Sequence, residues 1–148
     1  MDIRVQSEAF APGQELDAFT RRASAAGAVV SFTGVVRDVA GGLVAMEIEH
    51  YPGMTERAIA GMVEEAMRRF ALLDALVIHR YGRLAPGDQI MMVATASAHR
   101  GAAFSAAEFL MDWLKSRAPF WKKELTTGAA GWVAPRQEDE DQLDRWQD

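Results

Sequence analysis

Apolar residues fall at Phe104, Ala107, Met111, Leu114 and Ala118, spaced by three and four. That spacing predicts one long helix with a single buried face. Pro119 ends it, because the residue before a proline is pushed out of the helical region. Beyond the proline a short extended run alternates its side chains. Lys122 and Glu124 therefore share one face, while Lys123 points away with Trp121.

Upstream, Ile3 and Val5 alternate with Arg4 and Gln6 as a short strand, broken at Pro12-Gly13. Leu16, Phe19 and Ala23 mark an amphipathic helix with Gly27 as its stop. Residues 28–37 are rich in β-branched side chains and, with 43–51, read as two strands joined through Gly41-Gly42, a hairpin. In the second strand Met46 and Ile48 face one way and Glu47 and Glu49 the other, so one side is wet. Pro52-Gly53 turns the chain into a helix over 56–70, with Thr55 as its cap. Its stripe is Ile59, Met62, Val63, Ala66, Met67 and Phe70; Glu64 with Arg68 and Glu65 with Arg69 are exposed i,i+4 pairs. Residues 76–84 and 89–96 read as a second hairpin through Pro86-Gly87, and 90–94 is apolar enough to be covered on both faces. Trp132-Val133 closes the pattern as a short strand. Strands and helices do not alternate strictly, so the expected class is α+β, with helices packed on a mostly antiparallel sheet.

The 148 residues amount to one domain, and 49% hydrophobic content is ample for a core. Residues 1–135 are expected to form that domain, and 136–148, rich in Asp and Glu, a flexible acidic tail. A net charge of -5 argues against general nucleic-acid binding, so any basic site must be local. With no cysteine there is no thiol chemistry, disulfide or Cys-based metal site, and any sulfur handled must arrive on a partner or substrate. No P-loop, GxGxxG or metal-ligand set is present. The N-terminus lacks the pattern of a signal peptide and no apolar run spans a membrane, so a cytoplasmic protein is expected.

The long helix puts polar residues at both of its ends. His99 and Arg100 stand at its start, where free backbone N–H groups and the helix dipole favour an anion such as phosphate. Lys115 is on its last turn, followed by Arg117, Lys122 and Lys123. Two readings of the lysines stand side by side. They are a solvated basic patch, or, interleaved with Trp113, Phe120 and Trp121, at least one is held against apolar surface, where an ammonium loses its proton more easily. Arg37 likewise is either paired with Asp38 or aimed at a ligand anion. His79 and His50 read as structural histidines.

The runs MDWLKSRAPFWKKE, SAHR, FTGVVRD and EHYPGMTE resemble the large, catalytic subunit of molybdopterin synthase, and the likeness extends over residues 27–136. The resemblance implies an α/β hammerhead fold and a sulfurtransferase that needs no cofactor of its own. The implied substrate is a cyclic pyranopterin monophosphate, converted to molybdopterin. The implied partner is a small ubiquitin-like subunit carrying sulfur as a thiocarboxylate on its C-terminal glycine, in a heterotetramer built on a homodimer of large subunits. By position, Lys115 is the principal catalytic residue and Lys122 assists it. Arg37, with the backbone of Val35 and Val36, binds the pterin or its phosphate; His99 and Arg100 complete the anion site; Lys123 and Glu124 line the segment. Arg136 falls where a family arginine reaches the neighbouring subunit's site. His99 and Lys115 are sixteen residues apart, ~24 Å along a helix rising ~1.5 Å per residue. If both serve one site, they come from two chains related by a twofold axis. A non-catalytic module that docks an anionic pterin or a partner's tail is the alternative.

Overall fold

The computed structural model describes residues 1–38, 41–127, 130–133 and 136–147, without the side chains of residues 130 and 132. Among them the chain forms β1 (Asp2–Gln6), α1 (Pro12–Arg22), β2 (Ala28–Val35), β3 (Leu43–His50), α2 (Met54–Arg69) and β4 (Asp74–Arg80). There follow β5 (Gly82–Leu84), β6 (Gln89–Ser97), α3 (Arg100–Ser116), β7 (Phe120–Thr126), β8 (Ala130–Val133) and α4 (Gln137–Asp144). The strands make two four-stranded sheets, ordered β1-β4-β6-β2 and β5-β3-β7-β8. Every pairing but β1 with β4 is antiparallel. The α+β class holds, with two sheets in place of one.

The first sheet is covered on both faces, which is why β6 carries so little polar sequence. On one side Leu76, Ile78, Met92 and Ala94 pack with Phe19 of α1. On the other, Ala75, Val77, Met91 and Val93 meet Ile59 and Val63 of α2 and Phe109 and Leu110 of α3. Each fully buried Leu or Ile there contributes roughly 1.5–3 kcal/mol relative to exposure.

Residues 28–37 and 43–51 do not form the expected hairpin. β2 pairs with β6, whereas β3 lies in the other sheet between β5 and β7. The Val36 N–H donates to the Asp88 carbonyl at 2.9 Å and its own carbonyl accepts from Gly87 at 2.8 Å. These bonds hold the end of β2 on the turn between β5 and β6, and the chain beyond crosses to the second sheet. The strand expected over 76–84 also divides: Gly82 takes φ +89°, open to glycine without strain, and β5 turns away to pair with β3. Gly27 is not the stop of α1, which ends at Arg22 with Ala23 as its cap. It is required instead by close approach, since a Cβ there would meet the Ala98 carbonyl oxygen at 2.2 Å.

The buried face of α3 is Ala103, Ala106, Ala107, Phe109, Leu110 and Leu114, while Phe104 is 58% exposed. Alanines let the helix lie close on β6, where the buried Thr95 hydroxyl donates to the Ala103 carbonyl at 2.7 Å. Thr55 does not cap α2. Gly53 does, with its N–H accepted by Glu56 at 2.6 Å. The buried Thr55 hydroxyl accepts from the Tyr51 N–H at 3.0 Å and donates to the Pro119 carbonyl at 3.2 Å, tying α2 to the link between α3 and β7. Glu65 pairs with Arg68, and the Arg69 guanidinium lies over the rings of Phe70, Phe109 and Trp146.

The acidic segment expected as a flexible tail carries α4, docked on α3. The acidic composition conceals two apolar anchors: Leu143 is buried, and the Trp146 ring meets Phe70 and Phe109 edge-on at 5.9 and 5.6 Å. Its indole N–H donates to Asp112, which also takes Arg145 at 2.9 Å, and Arg117 reaches Glu140 at 2.6 Å. No described helix is long and apolar enough to cross a membrane.

Candidate functional site

β7 brings most of the candidate site together through its alternation. Lys122 lies opposite Ile48 of β3 and Glu124 opposite Met46, so both face inward with Phe120. Lys123 lies opposite Glu47 on the other face, as its position in the alternation predicts. The last turn of α3 supplies Lys115, held close by the Thr55–Pro119 bond. Arg37 follows the register shift at Gly34/Val35 that ends β2. In the described residues it has no ion pair with Asp38, whose carboxylate accepts from the Leu43 N–H at 3.1 Å.

These elements enclose two adjoining cavities of about 120 and 440 Å³ that share Val35, Arg37, His79, Lys115 and Lys122. Val36 lines the smaller; Glu124, Arg136 and Asp139 line the larger. The larger falls within the range of small-molecule sites, about 300–1,000 Å³. Its wall carries the cations Arg37, Lys115, Lys122 and Arg136 against the carboxylates Glu124 and Asp139, a surplus that suits an anion. Lys115 and Arg37 are exposed at the mouth and Lys122 is half-buried.

Burial beside Ile48 depresses the Lys122 pKa below the usual lysine range; nearby Lys115 lowers it further, and Asp139 opposes both. Of the clustered lysines, then, Lys122 is the one held against apolar surface. His79 is more strongly affected. Its ring stacks on Phe120 at 3.8 Å and its Nδ1 lies 2.8 Å from the Arg80 carbonyl. Burial pulls its pKa down to about 3; the Arg80 bond resists, and Lys122, Lys115 and His50 add to the fall. His50 packs on Tyr81 at 4.2 Å, with Glu56 at 3.8 Å.

His99 and Arg100 are not part of this cavity. Both are exposed at the opposite end of α3, where His99 is the N-cap residue and its carbonyl accepts from the Ser97 hydroxyl. Within one chain Arg136 lines the same cavity as Lys115. Two titratable cavity residues escaped the sequence as site candidates, His79 and Asp139. Asp139 gave no signal within an acidic run, whereas Phe120 shares the alternation of Lys122 and so marks the wall on which His79 stacks. Among the described residues no cluster of His, Asp or Glu could hold a metal ion.

Residues 5–117 match the family model described as MoaE protein. The chain belongs to the MoaE family. Among relatives of this MoaE chain, the molybdopterin synthase catalytic subunit of Cereibacter sphaeroides is 64% identical over 99% of this chain and 100% of its own length. The molybdopterin synthase catalytic subunit of Pseudomonas aeruginosa is 51% identical, with both chains covered in full. Of solved structures, the MoaE protein of Burkholderia ambifaria superposes with a TM-score of 0.84 at 48% identity, covering 98% of this chain and 97% of that one. Molybdopterin synthase from Staphylococcus aureus gives a TM-score of 0.79 at 30% identity over 88% and 96%.

Proposed function

We propose that this chain is the catalytic subunit of a cytoplasmic molybdopterin synthase. It moves sulfur from the C-terminal thiocarboxylate of a small ubiquitin-like subunit to cyclic pyranopterin monophosphate, building the dithiolene of molybdopterin. The observation that carries the assignment of roles is the pairing of Lys115 and Lys122 in one cation-rich cavity. Lys115, at the mouth, meets the incoming thiocarboxylate and offsets negative charge that develops during transfer. Lys122, whose proton is loosened by burial, assists in proton transfer. Arg37 and the backbone at Val35 and Val36 hold the pterin or its phosphate, with Glu124 and Arg136 on the same wall. Lys123 lies on the far face of β7 and supports the segment rather than touching the substrate.

The anion site is completed by a second copy. α3 spans 17 residues, about 25 Å at ~1.5 Å per residue, so His99 and Arg100 reach a cavity only if it belongs to another chain. β2 is an edge strand with Phe32 and Val35 exposed, and Phe104 is exposed on α3, apolar surface that a second copy would cover. The assembly is then a homodimer of this chain with one small subunit at each cavity.

Lys115→Ala tests the assignment against an anion-docking module. With the thiocarboxylated partner and cyclic pyranopterin monophosphate, product formation is expected to collapse by at least about a hundredfold, as for loss of one charge-stabilising group, while partner binding survives. Undiminished turnover would remove Lys115 from the chemistry.

A further inference from the structure

His79 is almost fully buried yet lines both cavities. Its Nδ1 faces a carbonyl, which can only accept, so that nitrogen carries the ring proton. Nε2 is therefore a bare acceptor, and the only side-chain hydrogen bond of the ring among the described residues is the one at Nδ1. The ring cannot swing to find another, because it is clamped face to face on Phe120. Lys115 from α3 and Lys122 from β7 are positive, His50 from β3 sits behind, and Arg37, Glu124, Arg136 and Asp139 line the rest of the wall. A second positive charge beside the lysines is disfavoured, so the imidazole stays neutral at working pH.

Resting on the function proposed above, we infer that His79 is a specificity-determining residue, whose Nε2 accepts a hydrogen bond from an N–H of the substrate's pterin ring system. A carboxylate in its place would supply an acceptor but would also pair with Lys122 and hold that lysine charged. A neutral acceptor recognises a ring N–H and leaves the lysines unpaired.

Two substitutions separate this role from a structural one. His79→Gln keeps an acceptor oxygen near the Nε2 position, whereas His79→Asn keeps only a donor for the Arg80 carbonyl. Titration calorimetry of the full-length chain with cyclic pyranopterin monophosphate is expected to show His79→Asn weakened about tenfold, the scale of a lost hydrogen bond that strands a buried donor. His79→Gln should stay within about threefold of wild type on the same scale. In turnover with the partner the defect should appear in KM, with kcat little changed. The reverse order, with Asn retained and Gln impaired, would assign His79 a purely structural role and overturn the inference, as would equal binding by both variants and wild type. Imidazole 15N spectra of the wild type need no variant: they should show a neutral ring protonated at Nδ1, and an imidazolium or Nε2–H ring at neutral pH would also overturn it. If the wild type makes no molybdopterin, the proposed function fails. If it does and His79→Asn binds pterin normally, only the role of His79 fails.

Discussion

Acidification acts selectively on His79. A histidine in an unfolded chain titrates near 6.5, whereas in the fold burial holds this one at about 3. As the pH falls below 6.5 the unfolded chain takes up a proton that the native ring refuses, so stability drops, and the loss is complete only near the native value. Between about pH 7 and pH 5 these two values imply a loss of about 2 kcal/mol from this one residue. Urea unfolding of wild type and His79→Gln at each pH measures it, with m-values checked so that midpoints can be compared. Contributions from groups common to both proteins cancel in the difference. The wild type is expected to lose about 2 kcal/mol more than the variant over that interval. Equal pH slopes would mean that the native imidazole is not protected from protons, and the desolvation reasoning would be refuted.

Three further outcomes follow from the packing. Thr55→Val leaves the part-buried Tyr51 N–H and Pro119 carbonyl without their partner and should cost about 1–3 kcal/mol, read by chemical denaturation. Trp146→Ala removes the ring that meets Phe70 and Phe109 and should lower stability by about 2–4 kcal/mol, with amide exchange rising first in α4. At Asp74 burial pushes the carboxyl up, but Arg22 at 2.8 Å, the Ala75 N–H and the N-terminal amine together hold it below the usual aspartate range. That contribution is present above about pH 4 and lost as the pH falls through the lowered native value, so thermal melts of Asp74→Asn should lack the wild type's further decline there.

Local periodicity made α3 and β7 legible. The three-and-four spacing located the helix, Pro119 its end, and the alternation after it put Lys122 and Glu124 inward and Lys123 outward. The stripe was right at Ala107 and Leu114, which are buried, but it included the exposed Phe104 and passed over Ala103 and Ala106, because Phe104 outweighs an alanine in any hydrophobic pattern although alanines permit the closer approach. Strand partnership was not legible. Gly41-Gly42 marks a turn, but the choice of β6 for β2 depends on contacts sixty residues away in sequence. The lowered pKa of Lys122 was foreshadowed by its aromatic neighbours, whereas which lysine is affected depends on Ile48 across the sheet. His79 read as structural from its place in a strand between Ile78 and Arg80, while the cavity it lines is assembled from β2, α3 and β7.

The shared site is tested most directly by subunit complementation. Arg100→Ala and Lys115→Ala chains are prepared separately, then unfolded and refolded together with the thiocarboxylated small subunit and assayed for molybdopterin. Each variant alone should be nearly inactive. Random pairing makes about half the dimers mixed, and each mixed dimer carries one intact site and one doubly altered site, so activity should return to about a quarter of wild type. Recovery at that level is what a site built from two chains requires; a mixture no more active than its components would contradict it.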